Sequence, residues 1–179
     1  MSRVVKIASP LLLTTVIALA GCSGRPEPGT APIPGQPGTY GARATVVHVV
    51  DGDTVDLHLA GGGEERARLL GIDTPETVKP NTPVQCFGPE ASAHTKALLS
   101  PHTPVLIQRD QEARDRYGRL LVYLWRARDG LFVNADLVAQ GFARTLSISP
   151  NTAHRSDLAS TAATARTART GLWGLCAGP

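Results

Sequence analysis

The sequence predicts an α+β chain, mainly β, in which five short strands close a small barrel and three helices pack outside it. Two observations carry this. β-branched and apolar residues gather in five short runs set off by Gly and Asp-Gly turns. Helical patterns fall between and after those runs rather than alternating regularly with them, which fits an OB-type barrel better than a doubly wound sheet. At 179 residues the chain holds one enzyme-sized domain, and 42% hydrophobic with 18% charged residues excludes a disordered or fibrous class.

Residues 45 to 50 and 54 to 59 flank Asp51-Gly52-Asp53 and read as two strands joined by a tight turn. Gly61-Gly62-Gly63 turns the chain into a third strand, expected over 65–72, and residues 105–109 and 120–125 supply the last two. The fifth run is apolar on both faces, as a strand inside a closed barrel should be. Gly88-Pro89-Glu90 opens a first helix running to about Ser100, with Pro in its first turn. Asn134 is expected to cap a second helix that Gly141 ends, and Asn151 or Thr152 to start a third that runs to about Arg169.

The N-terminal part reads differently. Residues 1–22 carry Arg3 and Lys6 ahead of a mostly apolar stretch ending in Leu19-Ala20-Gly21-Cys22, which resembles a bacterial lipobox with Cys22 as the lipidated residue. The stretch is too short to span a bilayer comfortably, whereas two acyl chains on Cys22 would hold the protein at a membrane surface. Residues 23–42 are rich in Gly and Pro and read as a tether, leaving 43–179 as the globular domain. The expected location is therefore outside the cytoplasm, lipid-anchored to the cell membrane or secreted. Removing Arg3 and Lys6 leaves 16 basic against 15 acidic residues, so the overall charge says little about partners. Six arginines between 109 and 128 form a local basic strip that could meet a polyanion. With Cys22 consumed by lipid, Cys86 and Cys176 remain as a pair in an oxidising compartment, and a disulfide between them closes a loop of about 90 residues.

Three clusters carry chemistry: Asp51-Gly52-Asp53-Thr54, then Arg68 through Asp73-Thr74-Pro75-Glu76, then Asp115-Arg116-Tyr117-Gly118-Arg119. The first is not an EF-hand loop, which needs Gly at its sixth and Glu at its twelfth position. Asp53 and Asp73 are hard oxygen donors, and with a carbonyl such as that of Thr74 and waters they suit Ca²⁺. The five histidines show no metal-ligand spacing, and the absence of a His or Cys cluster argues against zinc. Arg68 and Arg119 are forked, permanent cations matched to phosphate oxygens, and Glu76 is the one well-placed candidate base. One condition follows from strand alternation: Arg68 and Asp73 differ by an odd number and would face opposite ways on an unbroken strand, so a bulge or strand end is expected at Gly71. Trp125 and Trp173 read as packing residues rather than base-stacking platforms.

Taken together, 50–55, 68–76, 88–91, 115–119 and 133–141 resemble the motifs of the staphylococcal nuclease (thermonuclease) family, in its order and spacing, over roughly residues 44–173. The resemblance implies an OB-fold barrel and a Ca²⁺-dependent phosphodiesterase acting on DNA and RNA, preferentially single-stranded, with 3'-phosphorylated products. It places the calcium ligands on Asp53, Asp73 and the Thr74 carbonyl, the general base on Glu76 and the catalytic arginines on Arg68 and Arg119. Arg116 and Tyr117 fall where the family touches a nucleotide phosphate. Two tyrosines that flank the nucleotide in the family's type member are replaced here by Ser147 and Ser149. A monomer is the default for a small domain admitting a long polymer. The rival reading is a barrel that binds nucleic acid without cutting it.

Overall fold

The computed structural model describes residues 42–78 and 82–176. Cys22, its signal segment and the Gly/Pro-rich stretch up to Gly41 lie outside the described residues. The elements in chain order are β1 (Ala42–Asp51), β2 (Thr54–Leu59), β3 (Glu64–Leu69), β4 (Gly71–Asp73), α1 (Gly88–Leu98), β5 (Pro104–Gln108), β6 (Leu120–Arg126), β7 (Leu131–Phe132), α2 (Val133–Ala139), β8 (Arg144–Leu146), α3 (Arg155–Thr167) and α4 (Leu172–Leu175). The five principal strands run in the order β3-β2-β1-β5-β6 with antiparallel neighbours, and β7 extends the sheet beyond β6. A parallel pairing of Ala67, Arg68 and Leu69 with Leu120, Leu121 and Val122 closes the barrel. Closure leaves no long open edge and fixes the end of β3 beside the start of β6.

All seven residues of β6 are buried, because the strand serves two cores. Leu120, Val122 and Leu124 join Val55, Leu57, Leu69 and Ile107 in the main core. Leu121, Tyr123 and Trp125 point the other way, onto Leu70, Leu106 and Phe132, with Trp125 stacked on Phe132 at 4.4 Å between ring centroids. Truncating an aromatic this deeply buried costs about 3 to 5 kcal/mol. Trp173 is likewise a packing residue, with the guanidinium groups of Arg144 and Arg166 at 5.1 and 4.4 Å from its ring centroid.

Four expectations are corrected in detail. The third strand does not run to 72; it stops at Leu69, and Gly71, at φ 76°, starts a separate three-residue strand that pairs with β8. A Cβ at Gly71 would lie 2.5 Å from Leu158 Cδ1, so both the backbone angle and the close helix contact demand glycine. Asn134 caps nothing: α2 begins at Val133, and the buried Asn134 amide accepts from Leu124 N–H and donates to the Leu70 carbonyl. Those two backbone groups sit inside the protein, where an unmet hydrogen bond costs more than a weaker helix cap. Asn151 does not start α3, which begins at Arg155; its amide exchanges two hydrogen bonds with the Glu112 backbone. Finally, the described residues form four helices rather than three, because residues 172–175 make a separate turn next to Cys176. The Cys86–Cys176 disulfide is present.

Candidate active site

An open cleft of about 460 Å³ at one end of the barrel is lined by Asp51, Asp53, Arg66, Arg68, Asp73, Thr74, Glu76, Tyr117 and Arg119, with Val50, Thr54 and Val78 at its margins. Three pieces of chain build it. The β1–β2 turn supplies Asp51 and Asp53, the break between β3 and β4 supplies Arg68 and Asp73, and the segment before β6 supplies Tyr117 and Arg119.

Gly71 decides the second piece. By turning the chain after Leu70 it resets the strand parity, so Arg68 and Asp73 meet: Arg68 Nη2 donates to Asp73 Oδ1 at 3.0 Å. Arg68 Nη1 donates to the carbonyls of Leu69 and Ile72, both at 2.9 Å, and lies 3.1 Å from Asp53 Oδ2. The Arg68 side chain is only 14% exposed and that of Asp53 10%, so this is a largely buried, hydrogen-bonded pair. Asp53 Oδ2 also accepts from the Thr74 N–H and hydroxyl, and Oδ1 accepts from the Thr54 hydroxyl. Gly52 is required next to it, since a Cβ there would collide with the Thr74 side chain.

Glu76 follows Pro75, and its Oε1 accepts the N–H groups of Thr77 and Val78 at 3.0 and 2.9 Å. It also meets Asp51, whose carboxyl accepts from the Thr77 hydroxyl. Burial pushes Asp51 above the ordinary carboxylate range, and the Glu76 carboxyl and the Asp53 charge push the same way, outweighing the Thr77 and Gly52 hydrogen bonds. Asp51 and Thr77 belong to this site, yet spacing along the chain offers no signal that residues 26 apart would meet.

Arg119 is held differently. Its Nε donates to Asp115 Oδ2 at 2.7 Å, and Asp115 Oδ1 accepts the backbone N–H groups of Tyr117 and Arg119. Burial pushes Asp115 up, but these donors prevail and its carboxyl titrates below the usual value. Tyr117 is 69% exposed, with the Arg116 guanidinium 4.8 Å from its ring centroid and Arg119 at 5.6 Å. Arg116 does not line the cleft itself; it donates to the Tyr117 hydroxyl at 2.6 Å. Ser147 and Ser149 are exposed and also outside the cleft wall.

The basic strip of 109–128 is not a continuous surface. Arg114 pairs with Glu65, Arg119 with Asp115 and Arg126 with Asp129, and only Arg119 of the six reaches the cleft. Arg66, outside that strip, lines the cleft while bonded through two nitrogens to Asp56.

Among the described residues, no group of three or more His, Cys, Asp and Glu is disposed to hold a metal by side chains alone. Two carboxylates and a main-chain carbonyl, completed by water, remain a fit for a hard divalent ion. Asp51 meets Glu76 and feels the Asp53 charge, and a bound cation would relieve that accumulation.

Comparison with known proteins points the same way. A family model described as staphylococcal nuclease homologue matches residues 66–174. The chain is 46% identical over 110 residues to the Thermonuclease of Staphylococcus intermedius, covering 62% of this chain and 63% of that protein. It is 38% identical over 128 residues to the Thermonuclease of Staphylococcus hyicus, covering 72% and 73%. It is 38% identical over 111 residues to Endonuclease YncB of Bacillus subtilis, covering 62% and 51%. The matched stretch thus spans just under two thirds of the first of these relatives and about half of the Bacillus protein. With more than half of its own length matched and the motif side chains gathered in one cleft, the chain belongs to the staphylococcal nuclease family.

Proposed function

We propose that this protein is a Ca²⁺-dependent nuclease that hydrolyses phosphodiester bonds of DNA and RNA, preferentially single-stranded, leaving 3'-phosphates. The observation that carries the reading is the convergence of Arg68, Arg119, Asp53, Asp73, Thr74 and Glu76 on one open cleft. Asp53, Asp73 and the Thr74 carbonyl would hold the ion, which supplies charge neutralisation for the phosphate when bound.

The chain's own groups divide the remaining work. Glu76 takes a proton from a water whose oxygen forms the new bond to phosphorus, in line with the departing 5'-oxygen, which leaves with a proton from solvent. Arg68, immobilised by two carbonyls and two carboxylates, presents fixed positive charge to the equatorial oxygens as charge develops there. Arg119 offers its remaining guanidinium nitrogens to the same cleft, oriented by Asp115. Tyr117 lines the same opening, and with Arg116, which donates to its hydroxyl, would contact a neighbouring phosphate. A binder that does not cut needs no carboxylate base beside a cation site.

Sequence supports the setting: the lipobox at Cys22 and the Gly/Pro-rich 23–42 fit a monomeric domain tethered outside the cytoplasm by lipid. The test is cleavage of single-stranded DNA by the purified protein with Ca²⁺ and with chelator. Cutting that stops in chelator and returns on adding Ca²⁺ is expected. Undiminished cutting in chelator contradicts the metal assignment, and binding without cutting under all conditions contradicts the enzyme assignment.

A further inference from the structure

We infer that Gln85, braced by the Cys86–Cys176 disulfide, is a positioning residue for Glu76, so that opening the disulfide lowers turnover without weakening substrate binding. This rests on the nuclease reading of Glu76 above.

Between the end of β4 at Asp73 and the start of α1 at Gly88, the described residues form no helix or strand. The base therefore stands on a segment with no ladder of backbone hydrogen bonds. Apolar burial gives little support next to Glu76, where Val78 and Val84 are 58% and 59% exposed; the ring contact of the segment, Phe87 on Phe142, lies at its far end. The Glu76 backbone is held on both of its sides by Gln85, nine positions on, while the next residue, Thr77, is bonded to Asp51. Glu76 N–H donates to Gln85 Oε1, and the Glu76 carbonyl accepts from Gln85 N–H, both at 3.0 Å. The peptide groups on both sides of the Glu76 Cα are thereby fixed, and the direction of the carboxyl follows from the direction of that backbone.

Gln85 in turn needs an anchor. Its carbonyl accepts from Gly88 N–H at 3.0 Å, and the residue between them, Cys86, is bonded to Cys176 across 90 positions of sequence. Cys176 caps α4, where its N–H donates to Leu172; Leu172 is buried and its own N–H donates to Gly141 at the end of α2. A continuous path thus runs from the body of the protein through α4, the disulfide and Gln85 to the base. Gly88 closes the other side, where a Cβ would press on Thr77 and on the carbonyls of Pro75 and Glu76. A cross-link that only stabilised the fold could sit anywhere on the loop; this one sits next to the residue that clamps the base.

The test uses steady-state cleavage of single-stranded DNA by the oxidised full chain, by the same protein after dithiothreitol has converted the disulfide to two thiols, and by variants. Gln85→Leu removes the acceptor and is expected to lower kcat about tenfold with KM changed less than twofold. Gln85→Glu restores an acceptor oxygen and is expected to recover most of that kcat. The Cys86→Ser/Cys176→Ser variant and the reduced protein, assayed well below their melting midpoints, are expected to lose kcat to the same degree. Adding Gln85→Leu to the serine variant should then cost little more, because both changes cut one path. Gln85→Leu at wild-type kcat, or Gln85→Glu as poor as Gln85→Leu, overturns the positioning role. A folded serine variant with wild-type kcat overturns the brace. If the serine variant does not fold, the two Gln85 variants, which keep the disulfide, decide. An oxidised wild type that cuts nothing overturns the nuclease reading itself, a result distinct from all of these.

Discussion

The two arginines of the cleft are built in opposite ways. Arg68 rises from β3, is 14% exposed, and its guanidinium is committed to two carbonyls and two carboxylates of the barrel. Arg119 stands at the end of an irregular segment, is 30% exposed, and depends on the single carboxylate of Asp115. The strand-borne wall is therefore fixed as part of folding the barrel, while the other wall is fixed by a local turn. Loss of Arg68 should damage both the chemistry and the fold; loss of Arg119 should damage the chemistry alone.

Arg68→Ala carries the largest expected effect. Removing it should lower kcat by 100-fold or more, about 3 kcal/mol, and should also lower the unfolding free energy by about 3 kcal/mol by leaving Asp53 buried without its cation. Activity and urea unfolding measured on one preparation check both halves. Arg119→Ala should match it in kcat but change unfolding by less than about 1 kcal/mol, since its partner is a partly exposed neighbour in sequence. Equal destabilisation by the two substitutions would erase the distinction.

A smaller effect sharpens the picture at the base of the Arg119 wall. Asn151 and Ala153 tie the 110–112 stretch to the approach of α3, and His154 follows them, buried against Tyr123 and Trp125. Burial pushes the His154 imidazole below its ordinary value, and the charges of Asp157 and Asp110 offset this only in part. Below about pH 6.5 the unfolded chain takes up this proton before the folded one does. Stability therefore falls as pH drops through that value towards the folded pKa, with a slope of at most about 1.4 kcal/mol per pH unit from this group. His154→Gln should flatten that part of a stability-against-pH curve, and an unchanged slope would exclude His154 as its source. The smallest effect belongs to Arg128→Ala. Arg128 is 68% exposed, lies 3.7 Å from Asp129 and is outside the cleft wall, so activity and stability should both stay within about 0.5 kcal/mol of wild type.

Much of this was legible from residue patterns because the features concerned repeat over several positions. The five principal strands announce themselves by β-branched runs, and the Gly71 break follows from parity alone once Arg68 and Asp73 must share a site. The β4–β8 and β7 pairings are two or three residues long, too short for any period to register. Asn134 and Asn151 look like helix caps because short polar side chains favour caps in general. Their actual partners, the backbones of Leu70, Leu124 and Glu112, become known only when the barrel closes. Charged residues inside motifs were readable in the cleft, whereas Arg66 in its lining and Thr77 and Gln85, which contact Asp51 and Glu76 of that lining, were not, because each owes its place to a contact outside its own motif. The basic strip misled because its charges are paired, Arg114 with Glu65 of β3 and Arg119 and Arg126 with carboxylates three or four residues away in sequence.

The central claim is that this cleft is a catalytic centre with Glu76 as its base, and Glu76→Gln tests it with the least disturbance, since the amide oxygen can still accept from Thr77 and Val78. Single-turnover cleavage of single-stranded DNA in Ca²⁺, with binding measured in parallel, should show the rate falling by about 10² to 10⁴ while affinity holds within a few fold. A Glu76→Gln protein that cuts at the wild-type rate would contradict the account.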